Sequence, residues 1–189
     1  MEKKQAISTK RTVLTALMAA LTVAGSAMRV TLPLEIAGTT SFHLGNIMCA
    51  LSGILLGPGL GGLAAALGSA LYDMTNPLYI SEAWITFLTK GAYGLAAGIV
   101  AWKGFKKQGY FEATVATATG AITYAALYFA KSYFYSGRLL SGLTHEAALL
   151  NLLGKIPATT FNAVVAIIFA PILAVAIRKA LEKNRLTLD

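Results

Sequence analysis

The sequence predicts an all-α membrane protein with six transmembrane helices and with both the N and C termini in the cytoplasm. Three observations lead to this fold class: six long apolar stretches, no strand-like alternation within them, and cations concentrated on alternate connections. Only helices and closed barrels satisfy their backbone polar groups inside lipid, so stretches without alternation are predicted to be helices. With 189 residues and 56% hydrophobic composition, residues 1–189 are predicted to form one integral membrane domain.

The six apolar stretches differ in length. A helix that crosses the hydrocarbon core needs about 20 apolar residues, which the first, fourth, fifth and sixth stretches provide. The second and third are shorter, and Gly57-Pro58-Gly59 between them predicts a tight turn of a helical hairpin. In chain order the stretches cover residues 12–28, 43–56, 60–74, 83–102, 113–134 and 147–177.

The basic residues predict the orientation. Eleven of the sixteen lie before the first stretch, between the fourth and fifth, or after the sixth. With six crossings these three groups share one side, which the positive-inside rule assigns to the cytoplasm. The net charge of +8 is therefore a topology signal, and no segment is long enough to form a basic face for nucleic acid. The eleven residues are Lys3, Lys4, Lys10, Arg11, Lys103, Lys106, Lys107, Arg178, Lys179, Lys183 and Arg185.

The first stretch has an alternative interpretation as a signal peptide, because Lys10 and Arg11 precede it and Gly25-Ser26-Ala27 loosely suits cleavage. Cleavage there would leave five spans and would remove the charge asymmetry. We therefore keep the first stretch as a transmembrane helix.

The sequence offers no recognisable catalytic or cofactor motif. His43 and His145 lie far apart and share no ligand spacing with Cys49, the single cysteine, so neither a zinc site nor an internal disulfide is expected. No nucleophile elbow and no phosphate-binding loop is present. No cofactor is predicted, the chain has no recognisable way to use ATP by itself, and uphill transport would need another source of energy.

Two lysines fall within predicted membrane helices. Lys90 in the fourth stretch and Lys155 in the sixth lie at similar depth in the outer half of the membrane. Each could instead extend its ammonium group to the outer interface, or be neutralised by Asp73 or Glu82. Two lysines at matched depth favour a shared binding cavity, because ionisable residues inside membranes usually mark a functional site.

The fifth and sixth stretches each carry a narrow polar face, and Lys155 belongs to the face of the sixth. At 100° per residue, the polar residues of the fifth stretch fall within about 60° and those of the sixth within about 80°. An interfacial belt of aromatic residues explains Tyr133 and Tyr135, but it does not explain the deeper Tyr124 and Tyr128. Tyrosines and amides suit a flat, hydrogen-bonding heterocycle. The two faces comprise Thr117, Tyr124, Tyr128, Lys131 and Tyr135, and Asn151, Lys155, Thr159 and Asn162.

The second stretch and the first connection add candidates at the same outer side. His43 and Asn46 share a helix face, although His43 is equally explained as a helix-end residue near water. The apolar loop of residues 29–41 is expected to fold back as a lid. The predicted substrate-binding residues are His43, Asn46, Trp84, Lys90, Tyr124, Tyr128, Lys131, Asn151 and Lys155.

A stripe of small residues predicts close helix contact. Ala16, Ala20 and Ala24 recur every four residues on the first stretch, where a partner protein and internal packing are equally good explanations. A similar stripe of Gly61, Ala65 and Ser69 is explained by internal packing alone.

Motifs along nearly the whole chain resemble the substrate-binding S component of energy-coupling factor (ECF) vitamin transporters. They are KRTVLTALMAAL at the start, the hairpin FHLGNIMCALSGILLGPGLGGLAAALGSALYDM, and WITFLTKGAYGLAAGIVAW. Their order and spacing resemble the riboflavin-type or the hydroxymethylpyrimidine/pyridoxine-type branch.

The resemblance implies a six-helix bundle in a bacterial plasma membrane, with a vitamin cavity that opens outward between the first loop and the fourth, fifth and sixth helices. It implies docking through Ala16 and Ala20 on a transmembrane coupling subunit (T component), with two ATPase subunits completing the importer. A hydroxylated pyridine or pyrimidine is the favoured substrate and riboflavin the next, with cobalamin and a deazapurine precursor left open. Two other classes remain: a self-sufficient facilitator or channel, and an intramembrane enzyme using His43 and Asp73.

Overall fold

The computed structural model describes residues 9–33, 39–105 and 109–184, which are mostly helical. Within these residues, four helical segments are long and apolar enough to cross a membrane: Gly45–Thr75, Ile80–Gly104, Tyr110–Leu140 and His145–Lys183. The expectation of a helical membrane fold is confirmed at this level, whereas six crossings and their orientation stay predictions. The helices are α1 (Thr9–Ala27), α2 (Gly45–Thr75), α3 (Ala83–Ile99), α4 (Tyr110–Ala130) and α5 (His145–Lys183).

Three shorter helical segments extend these elements. A single 3-10 turn, Ile80–Glu82, precedes α3. Wider π-helical turns continue α3 over Val100–Gly104 and α4 over Lys131–Leu140. Such turns are rare and frequently occur at functional sites.

Helix α2 folds back on itself at Gly57. This residue has φ 81° and ψ −179°, a conformation that favours glycine, and Pro58 follows it. The Sγ atom of Cys49 lies 3.6 Å from the hydroxyl of Ser69, so the two halves of α2 run side by side. We call residues 45–56 the first arm and residues 58–75 the second arm. The helical hairpin expected from the glycine-proline turn is therefore present.

Glycines bring the arms of α2 into direct contact with α3. A Cβ atom built on Gly53 would lie 2.2 Å from the carbonyl oxygen of Gly94, and one on Gly98 would lie 2.6 Å from the backbone of Pro58. Across the hairpin, a Cβ on Gly61 would lie 2.3 Å from the Ser52 carbonyl oxygen. Backbones that approach this closely pack tightly without needing large side chains.

The connection after α1 differs from the all-α expectation, because it pairs as two antiparallel strands. Strand β1 (Arg29–Pro33) pairs with β2 (Thr39–His43), with Arg29 opposite His43. The β-branched Val30, Thr31, Thr39 and Thr40 suit this pleated conformation. We call the two strands the β-hairpin. Residues 34–38, which belong to the loop expected to form a lid, lie outside the described residues.

At the opposite end of the bundle, three side chains bind the carbonyl groups that the break at Gly57 leaves without helical partners. The carbonyl oxygen of Ile54 accepts hydrogen bonds from Trp102 Nε1 at 2.9 Å and from Arg178 at 2.7 Å. Arg11 donates to the Leu56 carbonyl oxygen at 3.4 Å. We call this set of contacts the arginine clamp. It joins α1, the end of α3 and α5 to the turn of α2.

Helix α1 packs through one face and exposes the other. A Cβ on Gly68 of the second arm would lie 2.4 Å from the Ala19 carbonyl oxygen and 2.5 Å from Thr22, so these residues face the bundle. The stripe of Ala16, Ala20 and Ala24 is exposed on the outer face, and internal packing does not explain it. In the second arm, Gly61, Ala65 and Ser69 are buried, as internal packing requires. Of the cations that predict the orientation, Lys3, Lys4, Lys106, Lys107 and Arg185 lie outside the described residues.

Candidate ligand-binding site

A cavity of about 240 Å³ lies at the end of the bundle that carries the β-hairpin. The β-hairpin, the ends of α1 and α2, the start of α3, the end of α4 and the start of α5 line it. Concave sites with a few convergent polar groups are typical of small-molecule binding. The charged side chains on its wall are Arg29, Asp73, Glu82, Lys90, Lys131 and Lys155.

Three tyrosines form a ladder beside the cavity. The rings of Tyr93 and Tyr124 stack with centroids 5.9 Å apart, and those of Tyr124 and Tyr128 with centroids 5.6 Å apart. Tyr124 and Tyr128 line the cavity, whereas Tyr93 is fully buried behind them. Gly120 leaves the space for Tyr93, since a Cβ there would lie 2.5 Å from its ring. The ladder presents an aromatic surface suited to a flat ring.

Lys90 is held from two directions inside the protein. Its ammonium group donates a hydrogen bond to Asn46 Oδ1 and lies 3.8 Å from the centroid of the Tyr124 ring. Lys90 is 5% exposed and Asn46 1%. This geometry excludes a lysine extended to the membrane surface. An amide oxygen and an aromatic face together stabilise the buried charge.

Lys131 forms an ion pair with Glu82, which in turn accepts a hydrogen bond from Ser136. Glu82 comes from the 3-10 turn before α3, whereas Lys131 and Ser136 belong to the π-helical turns after α4. The contact therefore joins two elements at the mouth of the bundle. Glu82 was one possible neutralising partner of Lys90 or Lys155, but its direct partner is Lys131.

Lys155 differs from the other two lysines. It is 5% exposed and lines the cavity, yet within the described chain it makes no hydrogen bond or ion pair. Its ammonium group lies 5.8 Å from the centroid of Tyr128, whose ring is 5.6 Å from Lys131 Nζ. One turn earlier on α5, the Oδ1 atom of Asn151 is buried without a hydrogen-bond partner.

Helix α5 holds the β-hairpin through one amide side chain. Asn162 donates from Nδ2 to the Ser41 carbonyl oxygen at 2.8 Å and accepts from the backbone N–H of His43 at 2.9 Å. From the connection before α3, the Tyr79 hydroxyl lies 2.8 Å from Ser41 Oγ and 3.1 Å from Thr39 Oγ1. These contacts fix strand β2 against the cavity.

His43 is a neutral imidazole in this arrangement. The backbone N–H of Gly45 donates to its Nδ1 at 3.1 Å, so the ring proton resides on Nε2. Burial, followed by the positive charges of Lys90 and Arg29, lowers the pKa of His43 well below its ordinary value. His43 therefore offers one uncharged N–H donor rather than a cation.

Arg29 lies between two aromatic rings at the edge of the cavity. Its guanidinium carbon is 4.4 Å from the centroid of Tyr72 and 4.7 Å from that of Tyr79. Its Nε donates to the Ser26 carbonyl oxygen at 3.0 Å. Sequence reasoning did not select Arg29 or Tyr79, because both belong to connections whose positions depend on the β-hairpin. The tyrosines that contact Arg29 are more than 40 residues away in the sequence, so no local pattern indicated this contact.

The structure brings most of the predicted binding residues together, but two lie off the cavity wall. Asn46 is behind Lys90 and contacts it directly. Trp84 is 55% exposed on the outside of the bundle, where its indole N–H donates to the Tyr135 hydroxyl at 3.2 Å. Its edge-on contact with Tyr135 turns it away from the cavity. The seven that line the wall are His43, Lys90, Tyr124, Tyr128, Lys131, Asn151 and Lys155.

Among the described residues, no group of three or more His, Cys, Asp or Glu side chains could hold a metal ion. His43 and Asp73, the conceivable acid–base pair, both line the cavity, but no nucleophile motif accompanies them. The chemistry that the wall offers is hydrogen bonding, ring stacking and charge attraction.

The sequence and the fold of this chain are similar to those of known proteins. The model of a family described as "ECF-type riboflavin transporter, S component" matches residues 6–179. A protein from Pyrococcus woesei, described as an uncharacterized protein in gap 3′region, is 32% identical over 118 residues, which cover 62% of this chain and 74% of the relative.

Among solved structures, the S-component for biotin from an ECF-type ABC transporter has the same fold. The TM-score is 0.62, and the match covers 92% of this chain and 95% of that chain at 17% sequence identity. At this identity the likeness concerns the fold and leaves the ligand of this chain open.

Proposed function

This chain belongs to the family of ECF-type riboflavin transporter S components, and on that premise we propose that it is the high-affinity vitamin-binding membrane subunit of an ECF-type ABC importer. The family membership confirms the resemblance seen in the sequence motifs. The observation that supports the binding role most directly is the polar, tyrosine-lined cavity enclosed by an otherwise apolar bundle. The role requires no cofactor and no catalysis by this chain.

The proposed substrate is a small heterocyclic vitamin or precursor, with a pyridoxine-like or hydroxymethylpyrimidine-like ring favoured and riboflavin next. The cavity volume of about 240 Å³ lies below the roughly 300–1,000 Å³ typical of sites for drug-sized ligands. A single substituted ring fits this space better than a three-ring flavin with a sugar-alcohol chain. Tyr124 and Tyr128 provide the stacking surface, and the lysines and Asn151 provide hydrogen bonds.

We propose that six helical crossings place both termini in the cytoplasm of a bacterial cell, in its plasma membrane. The two arms of α2 count as two crossings in this arrangement. The described cations that follow the orientation pattern belong to the end of the bundle that carries the arginine clamp, away from the cavity. The positive-inside rule assigns that end to the cytoplasm, so the cavity would open outward.

The proposed partners are a transmembrane coupling subunit and two ATPase subunits. The exposed stripe of Ala16, Ala20 and Ala24 on α1 supports docking in the membrane, because small residues allow another helix to approach closely. ATP would be hydrolysed by the partner chains. A self-sufficient facilitator would instead move substrate without them.

The proposal is tested by thermal unfolding of the purified protein in detergent with B vitamins, their precursors and their phosphates. A ligand that binds only the folded state stabilises it by about 2.7 kcal/mol at one hundred times its dissociation constant. We expect one compound to stabilise the protein at low micromolar concentration or below. If none of them shifts the transition even at millimolar concentration, the high-affinity binding role is wrong.

Reconstitution separates the importer subunit from a facilitator. Liposomes that contain only this protein should bind the identified vitamin without accumulating or exchanging it. Addition of the coupling and ATPase subunits with ATP should start uptake. Rapid equilibration of the vitamin by this chain alone would support the facilitator instead.

A further inference from the structure

The positive charges on the cavity wall differ in how far the protein itself satisfies them. Lys131 is paired with Glu82, and Lys90 is held by Asn46 and the ring of Tyr124. Lys155 lies 5.8 Å from the centroid of the Tyr128 ring, but among the described residues it has neither an ion pair nor a hydrogen-bond acceptor. An ammonium group that faces a cavity without a hydrogen-bond acceptor from the protein marks a place where an acceptor from outside the chain would be stabilising.

The remaining charges do not supply that acceptor. Arg29 donates to the Ser26 carbonyl oxygen and lies against two tyrosine rings, and no ion pair joins Asp73 to Lys155 among the described residues. Glu82 is already bound by Lys131 and Ser136. The ammonium groups of Lys131 and Lys155 both lie near the ring of Tyr128, 5.6 Å and 5.8 Å from its centroid, so the two positive charges repel each other. An anion within reach of both lysines would relieve this repulsion.

Asn151 provides a second unmet interaction next to Lys155. Its Oδ1 atom is a buried acceptor without a donor in the described chain, and the residue is 5% exposed on the cavity wall. Asn151 and Lys155 are one helical turn apart on α5, so their side chains lie on the same face. A ligand could therefore place an anionic group on Lys155 and a donor N–H or O–H on the adjacent Asn151.

From this pairing we infer that the ligand carries an anionic oxygen group that Lys155 binds, together with a hydrogen-bond donor that Asn151 accepts. The inference rests on the proposed vitamin-binding function and narrows its substrate class. A phenolate, a carboxylate or a phosphate ester has the required oxygen. Among one-ring vitamins, a hydroxypyridine or a phosphorylated pyrimidine fits, whereas an uncharged pyrimidine does not.

The test uses pairs of probes that differ in the anionic group and little else. Pyridoxine is compared with 3-O-methylpyridoxine for the phenolate, and 4-pyridoxate with its amide for the carboxylate. Hydroxymethylpyrimidine phosphate and flavin mononucleotide are each compared with the unphosphorylated compound. Dissociation constants are measured by thermal unfolding or calorimetry on the full chain in detergent.

Within at least one pair, we expect the anionic member to bind about tenfold to hundredfold more tightly, as a charge-assisted hydrogen bond predicts. Lys155→Met should remove that preference while leaving weaker binding of the neutral member. Lys183→Met is the matched control, because Lys183 is exposed at the C-terminal end of the same helix, away from the cavity. It also removes one positive charge, and it should leave the preference for the anionic member unchanged. Unfolding without ligand checks that each variant is folded.

A second variant tests the inference without deleting the lysine. Asn151→Asp keeps the size of the side chain but gives Lys155 a carboxylate one turn away, so it should also remove the preference for the anionic member. If the neutral members bind equally well in all pairs that bind, the inference is wrong although the binding function stands. Failure of all eight probes to bind folded protein would contradict both.

Discussion

His43 makes the stability of the folded protein depend on pH. The Gly45 N–H occupies Nδ1, and burial with two nearby cations lowers the pKa of the ring. In the unfolded chain the same imidazole titrates near about 6.5. Between that value and the lower folded pKa, only the unfolded chain binds the proton, so stability decreases as the pH decreases.

We therefore expect ligand-free protein to lose stability below about pH 6.5, and we expect His43→Asn to weaken this dependence. Asn keeps an acceptor for the Gly45 N–H but does not titrate. The contribution of His43 can reach about 1.4 kcal/mol per pH unit. Thermal unfolding of both proteins from pH 5 to 8 measures it, and equal slopes would contradict a neutral buried His43.

Gly53 tests the close contact between the first arm of α2 and α3. In Gly53→Ala the new methyl group would meet the Gly94 carbonyl oxygen at 2.2 Å, and backbone cannot move aside as a side chain can. We expect destabilisation by about 1–3 kcal/mol. Gly59→Ala is the matched control, because nothing lies within 4 Å of its Cβ position. Similar unfolding temperatures for the two variants would show that the helices are not packed this closely.

At the scale of elements, the β-hairpin depends on one side chain of α5. Asn162 makes two hydrogen bonds to strand β2, one through its oxygen and one through its nitrogen. Asn162→Asp keeps the acceptor for His43 but replaces the donor to the Ser41 carbonyl oxygen by a repulsive oxygen. Loss of one buried hydrogen bond of this kind costs about 1–3 kcal/mol.

We expect amide hydrogen exchange in residues 39–43 to be at least about tenfold faster in Asn162→Asp, and ligand dissociation to be faster as well. Thr159→Val is the control on the same cavity wall, since among the described residues the Thr159 hydroxyl bonds to its own helix alone, at the Lys155 carbonyl oxygen. Unchanged exchange in the Asp variant would mean that other contacts hold the strand.

The elements also show how far sequence reasoning reaches. Apolar length and the glycine-proline turn predicted the helices, and 100° periodicity predicted that Asn151, Lys155, Thr159 and Asn162 share one buried face. The pairing of Lys131 with Glu82 could not be predicted, because the partners are 49 residues apart and belong to connections. The same limit explains Trp84, because its contact with Tyr135, 51 residues away in the chain, decides which way its ring points.

At the scale of the whole molecule, the two faces of α1 have separate roles. Ala19 and Thr22 contact the bundle, whereas Ala16 and Ala20 are exposed away from the cavity. A bulky residue on the outer face can block a partner helix without entering the core or the binding site. This separation makes the proposed docking surface testable independently of ligand binding.

We expect Ala16→Trp and Ala20→Trp to retain vitamin-induced stabilisation but to lose association with the coupling subunit, by about tenfold or more. Ile122→Trp on α4, a position that is 71% exposed, controls for a large residue facing lipid. Co-purification of the ATPase subunits and thermal unfolding with vitamin give the two readings. Undiminished association, or loss of ligand binding, would assign the stripe another role.

The arginine clamp links the assembly of the protein to the direction of its synthesis. The ribosome makes Ile54 early, Trp102 about midway and Arg178 last, 124 residues after the carbonyl group that it binds. Until Trp102 and Arg178 are in place, the Ile54 carbonyl group lacks both of these donors, so the α2 hairpin remains incompletely satisfied while later helices are inserted. Helix α5, which leaves the translocon after α1 to α4, thus completes the bonding of α2. A nascent chain that stops before α5 would present this polar turn to chaperones and membrane proteases.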